Sequence, residues 1–286
     1  MLLTSVQCIA VLLPCGAQTM MPFMFDELDE TIYVQKSVHD QVAWKWANDT
    51  LLQVNIYGSN DLMDWVSNLM MFSPVPIPGT SVFIHRGFAD AAESILTKTT
   101  CTPVWYDPFC LVWGTISITD TVVGKAIRDA DTVYLTGHSR GGALASVLAL
   151  KVKADETYYG KTDLQVATHG EPRSVHVDTH SLDVLTQHIK KWRFVYKNDL
   201  IPSTPRSYQL PFGRFQHWGE VFQVVGNVSA LRFEMRENPE FPTSATSITD
   251  HHVLWWPKTT MRKAYDDANL VTPFHSTCVD GKDFPR

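Results

Sequence analysis

Two short apolar-rich stretches, Val42–Trp46 and Leu51–Tyr57, flank the pair Asn48-Asp49. Runs of this length around turn-forming residues predict a β-hairpin. Thr115–Arg128 reads as a helix, and Thr132–Thr136 as a short strand rich in β-formers. From Gly141 to about Lys153 apolar residues recur at helical spacing, which turns Leu144, Val147, Leu148 and Val152 inward. Leu164–Thr168 and Trp192–Tyr196 read as further strands, with a helical segment near Leu182–Ile189 between them. Strands that alternate with helices predict an α/β fold on a mainly parallel central sheet. One more stripe lies between Ser59 and Gly79. There Leu62, Trp65, Val66, Leu69 and Met70 share one side of a helix, with Asp61, Asp64 and Asn68 on the other. Taken alone, such a stripe fits ordinary core packing as well as anything more specific.

The expected strand at Thr132–Thr136 runs straight into Gly137-His138-Ser139-Arg140-Gly141, and the expected helix follows. A serine between glycines at a strand-to-helix turn is the pattern of a nucleophile elbow, where a sharp turn lifts the hydroxyl clear of the sheet. The helix behind it points its positive end at the serine, which favours developing negative charge. A serine hydroxyl needs a neighbouring imidazole to take its proton, and that imidazole needs an orienting acid. Asp199, ahead of a proline turn in FVYKNDLIP, is the candidate acid. His251 and His252, in SITDHHVLWW, are the candidate bases.

Composition narrows the alternatives. A chain of 286 residues, 44% hydrophobic, can build one sizeable core and is short for two domains. A net charge of −6 argues against a nucleic-acid partner. The Lys190-Lys191 doublet is read as part of a solvated face. No apolar run is long enough to span a bilayer. The spacing His176…His180 suits zinc, but it lacks the glutamate of H-E-x-x-H, so no metal is expected. Phosphate-cradling and dinucleotide-binding glycine motifs are absent, so no cofactor is expected either.

Residues 1–17 read as a secretory signal cleaved after Ala17, without the usual basic start; the other reading is a buried N-terminal element. Secretion would permit a disulfide between Cys101 and Cys110, with Cys278 left over. Residues 18–286 are then expected to form one domain.

Six segments, in order, resemble the fungal-type class 3 lipases, a branch of the α/β-hydrolases. VNIYGSNDLMDWVSNL resembles F-R-G-S-x-S-x-x-x-W, VFIHRGFADA resembles V-H-x-G-F, and LTGHSRGGALA is the elbow. THGEPR resembles G-x-P-R, RFVYKNDLIP resembles N-D-P-V-P, and FQHWGEVF resembles H-x-G-x-E. The resemblance covers about Val42 to Trp256. It implies an α/β-hydrolase fold with a short helical lid, here residues 60–73, bearing Leu62, Trp65, Val66, Leu69 and Met70. It also implies Ser139 as nucleophile, Asp199 as orienting acid and His251 as base, with His252 the other choice. Ser59 and the backbone amide of Arg140 would form the oxyanion hole. The partner implied is a lipid or other ester, met at a lipid–water interface through the lid. Triacylglycerol hydrolysis is the first activity implied; feruloyl esterase, phospholipase and a non-catalytic lipase-like binding protein are the alternatives. Three departures stand out. Tyr57 replaces an arginine, Leu200 replaces a proline, and Arg140 replaces the apolar residue common after the serine.

Overall fold

The computed structural model describes residues 33–36, 41–57, 74–102, 115–160, 162–176, 179–205, 215–227, 232–237 and 247–253. The segment 1–17, Ser59, the flap residues Leu62, Trp65, Val66, Leu69 and Met70, and Cys110 lie outside them. Strands β1 (Tyr33–Lys36), β2 (Gln41–Trp46) and β3 (Leu51–Ile56) form an antiparallel meander. The β2–β3 hairpin turns where expected, and Asn48 Oδ1 accepts the amides of Thr50 and Leu51, each at 2.9 Å. Next come β4 (Pro74–Pro76), β5 (Phe83–His85), helix α1 (Arg86–Leu96), β6 (Thr97–Thr102), β7 (Thr115–Asp120) and α2 (Val122–Asp129). They are followed by β8 (Thr132–His138), α3 (Arg140–Ala154), α4 (Glu156–Tyr159), β9 (Asp163–His169), β10 (Val175–His176) and α5 (Thr179–Thr186). The described chain closes with β11 (Lys190–Tyr196), β12 (Phe215–Gln216), β13 (Glu220–Asn227), β14 (Arg232–Glu237) and α6 (Ile248–Val253).

The main sheet has the order β1-β2-β3-β8-β9-β11-β13-β14. Its middle, from β3 to β13, is parallel throughout, and the outer pairs are antiparallel. Parallel strands covered on both faces need apolar side chains in near-continuous runs. Strand β8 meets that need, being buried from Val133 to His138. Helix α3 is buried on almost every side, including Leu144, Val147, Leu148 and Val152, and so is apolar nearly all round. This is the mainly parallel, helix-flanked sheet that the resemblance implies. Among the described residues no helix is long and apolar enough to cross a membrane.

Two expectations need correction. Thr115–Arg128 is not one helix. Thr-Ile-Ser-Ile-Thr alternates with the period of a strand and pairs as β7 with β6, from Thr97↔Asp120 to Thr102↔Thr115. The helix begins only after Thr121, whose hydroxyl accepts the Gly124 amide at 2.9 Å. Nor is Lys190-Lys191 a solvated face. Adjacent residues of a strand point opposite ways, so Lys190 is exposed while Lys191 is buried against Glu171, Nζ to Oε1 2.9 Å.

Burial lowers the Lys191 ammonium from its ordinary 10.5 to about 8, although the Glu171 charge opposes the shift. Between those two pH values the unfolded chain holds a proton that the folded chain has released, so this residue makes stability rise with pH there. Urea midpoints across that interval are expected to climb more in the wild type than in Lys191→Met. Parallel slopes would contradict the assignment.

Candidate active site

Three segments meet at the carboxyl ends of the parallel strands. The first is the turn from β8 into α3. Ser139 sits there with φ 57 and ψ −127, a backbone conformation that side chains rarely adopt and that persists only where packing enforces it. The packing is visible at the flanking glycines. A Cβ on Gly141 would lie 2.1 Å from the Ile56 carbonyl oxygen, and one on Gly137 would lie 2.4 Å from the Gly141 carbonyl. The end of β3, which leads toward Ser59, is thus pressed against the elbow. The Ser139 amide donates to the His169 carbonyl at 2.8 Å, and its own carbonyl accepts the Gly142 amide at 3.0 Å. The Ser139 hydroxyl is buried and has no hydrogen-bond partner among the described residues. Arg140 is the first residue of α3, and burial lowers the pKa of its half-buried guanidinium.

The second segment follows β11. Asp199 is buried, and its Oδ1 accepts the Ile201 amide at 2.9 Å. The third is α6, started by Ser247, whose hydroxyl accepts the Asp250 amide at 3.1 Å. The two segments are laced together. The Leu200 amide donates to the Ser247 carbonyl at 3.3 Å, the Ser247 amide to the Asn198 carbonyl at 3.1 Å, and the Asn198 amide to Asp250 at 3.3 Å. The lacing delivers His251 to Asp199: Nδ1 lies 2.8 Å from Oδ2 and 3.0 Å from Oδ1, with both side chains buried. An ionised carboxylate only accepts, so Nδ1 carries the hydrogen and the neutral ring keeps its basic lone pair on Nε2.

Three residues without an expected role complete the setting. The His138 ring lies on His251, centroids 4.5 Å apart, and its Nε2 donates to the His251 carbonyl at 3.0 Å. His138 is the residue before Ser139, so this contact places the elbow beside the Asp199–His251 pair. His169, stacked on Phe194 at 4.9 Å, stays neutral because burial and the His138 charge push its pKa down to about 3. Gly170, with φ 57, lies where a Cβ would come within 2.7 Å of His251 Nδ1 and 2.8 Å of Asp199 Oδ2. Gly170→Ala is therefore expected to lower kcat/KM by roughly 10²-fold through misplacement of His251, measured alongside a melting curve. An unchanged rate would show that the pair tolerates displacement.

The Asp199 loop is held from behind. The Arg173 guanidinium donates to the carbonyls of Ser203 and Pro205, the latter at 2.7 Å, and the Arg173 amide donates to Thr204 at 2.7 Å. His217 Nε2 donates to the Pro202 carbonyl at 2.8 Å. Both residues fall in quoted segments, GEPR and HWGE, yet only long-range contacts reveal what they hold. His176 ends β10, with its ring against Phe83 and Phe215. Among the described residues no group of three or more His, Cys, Asp or Glu could hold a metal ion.

A family description, "Lipase (class 3)", matches residues 53–209, more than half of the chain. A curated lipase of Rhizomucor miehei is 29% identical over 203 residues, covering 68% of this chain and 49% of that protein. The chain thus spans about half the length of that relative. Among solved structures, lipase II from Rhizopus niveus superposes with a TM-score of 0.55 at 18% identity, over 86% of this chain and 92% of that one. A triacylglycerol lipase whose catalytic centre is a serine protease triad superposes with a TM-score of 0.54 at 18% identity, over 86% and 91%. At such identities the two structures speak for the fold.

Proposed function

This chain belongs to the class 3 lipase family, and from that premise we propose that it is a serine carboxylic-ester hydrolase acting on lipid esters, triacylglycerols first, through an acyl-enzyme. The observation that carries the reading is the buried Asp199–His251 pair, at 2.8 Å, beside the strained elbow of Ser139. His251 takes the Ser139 proton at Nε2 as Oγ attacks the ester carbonyl carbon, and the carbonyl π electrons move onto oxygen. The Arg140 amide, at the positive end of α3, and Ser59 hold that oxyanion. Collapse of the adduct breaks the bond to the alkoxy oxygen, which leaves with the proton that His251 returns. Water, deprotonated by the same imidazole, then attacks the acyl-enzyme and regenerates Ser139. Asp199 keeps Nδ1 protonated throughout and stabilises the imidazolium when it forms.

The stripe of Leu62, Trp65, Val66, Leu69 and Met70 acts in this reading as a lid, exposing apolar surface that only a lipid interface would cover.

A panel on one protein batch tests the reading: p-nitrophenyl esters of increasing chain length, an emulsified triglyceride, a dispersed phospholipid and methyl ferulate. The account expects the triglyceride to be turned over, with a jump in rate as a short-chain ester passes its solubility limit. Turnover confined to methyl ferulate would reassign the substrate. A smooth saturation curve through the solubility limit would remove the lid from the mechanism.

A further inference from the structure

Strand β11 turns Lys191 and Arg193 to the same face, and both are buried, at 3% and 6% exposure. Lys191 is satisfied. It bonds Glu171 at 2.9 Å and lies 4.2 Å over the Trp218 ring. The other oxygen of Glu171 accepts the Thr168 hydroxyl at 2.6 Å. Arg173 is occupied with the carbonyls of Ser203 and Pro205. Arg193 is different. Its Nε is buried with no hydrogen-bond partner among the described residues, and so is the indole Nε1 of Trp218. Among the described residues the cluster therefore holds three cations, Lys191, Arg193 and Arg173, against the single carboxylate of Glu171, which is already engaged.

The surrounding groups register this surplus. Burial lowers the Arg193 pKa to about 10, with the Glu171 charge opposing the shift and the Arg173 charge adding to it. His217 donates through Nε2 to Pro202, so its Nδ1 is an acceptor; that atom too has no partner among the described residues. Its pKa is held well below the ordinary value by burial, then by the charges of Arg193, Arg173 and Lys191. A buried guanidinium without a contacting counter-ion is among the costliest arrangements in a protein interior.

The strand register shows which position faces Arg193. The pattern H-x-G-x-E, laid on His217 and Gly219, puts its acid at position 221, but this chain has Val221 there and Glu220 one place early. Val221 is the register partner of Arg193 across the β11–β13 ladder. It is only half-buried, so the position opens toward solvent, whereas Glu220 alternates away and is exposed.

We propose that Arg193 forms a binding site for a small oxyanion taken from solution, seated where a carboxylate at position 221 would otherwise lie. The guanidinium offers a planar fork that matches two oxygens of phosphate, sulfate or carboxylate. Occupancy would neutralise the field on Arg173 and His217, the two side chains that hold the loop after Asp199. The site takes no part in bond making. It fixes the loop on which the acid stands.

The test is the melting temperature of the full chain against inorganic phosphate, with sodium chloride holding ionic strength constant, for the wild type, Arg193→Met and Val221→Glu. The wild type is expected to gain about 3 °C, saturably, once phosphate reaches roughly ten times its dissociation constant. Arg193→Met should lose that response. Val221→Glu carries its own anion and should show no response, with a higher starting temperature in phosphate-free buffer. The absence of a saturable gain in the wild type would overturn the proposal, as would an equal gain in Arg193→Met, which would mark an adventitious ion only. An equal gain in Val221→Glu would overturn the placement. If Val221→Glu does not fold, the comparison with Arg193→Met decides alone.

Discussion

Replacing Ser139 with alanine is expected to lower ester turnover by roughly 10⁶-fold, the scale seen when a serine nucleophile of this type is removed. The fold should survive. Alanine occupies the same strained backbone, at φ 57, with no greater steric demand, and the Ser139 amide and carbonyl keep their bonds to His169 and Gly142. The hydroxyl makes no hydrogen bond to any described residue, so its removal leaves no described group without a partner. Activity on a soluble ester and a melting curve on the same sample check both halves. Loss of activity together with loss of fold would leave the elbow a structural turn. Retention of activity would remove Ser139 from the chemistry.

Asp199→Asn is expected to lower kcat/KM by about 10⁴-fold with little change in melting temperature. The carboxylate accepts from His251 Nδ1 at 2.8 Å and from the Ile201 amide at 2.9 Å. An asparagine oxygen can serve only one of them well. If it keeps the Ile201 bond, its NH₂ faces Nδ1 and drives the ring hydrogen to Nε2, the atom that must accept the Ser139 proton. The loop itself should hold, because Arg173 and His217 fix it through the carbonyls of Pro202, Ser203 and Pro205. A loss below tenfold would show that Asp199 does not set the tautomer.

Much of the fold could be read along the chain because parallel strands and a buried helix demand unbroken apolar runs. Thr132–Thr136, Leu164–Thr168 and the helix through Leu144 and Val147 announce themselves in this way. The elbow was equally plain, since its glycines are required by contacts of 2.1 and 2.4 Å that any side chain would violate. Thr115–Asp120 does not declare itself as a strand locally, because the strand it pairs with, Thr97–Thr102, is distant in sequence. The burial of Lys191 is masked by its neighbour, because paired lysines suggest solvent while a strand sends adjacent residues to opposite sides. What stayed hidden are contacts between distant segments. His138 rests on His251, Gly170 makes room for the Asp199–His251 pair, and Val221 faces Arg193; none of these leaves a periodic trace in the sequence.

The central claim is that His251, oriented by Asp199, activates Ser139. The most direct measurement is the labelling of the protein by a fluorophosphonate, followed by intact mass and peptide mapping, in the wild type and in His251→Ala. The account predicts one adduct per chain, on Ser139, formed at least about 10³-fold more slowly in the variant. An adduct on another residue, or labelling of His251→Ala at the wild-type rate, would contradict it.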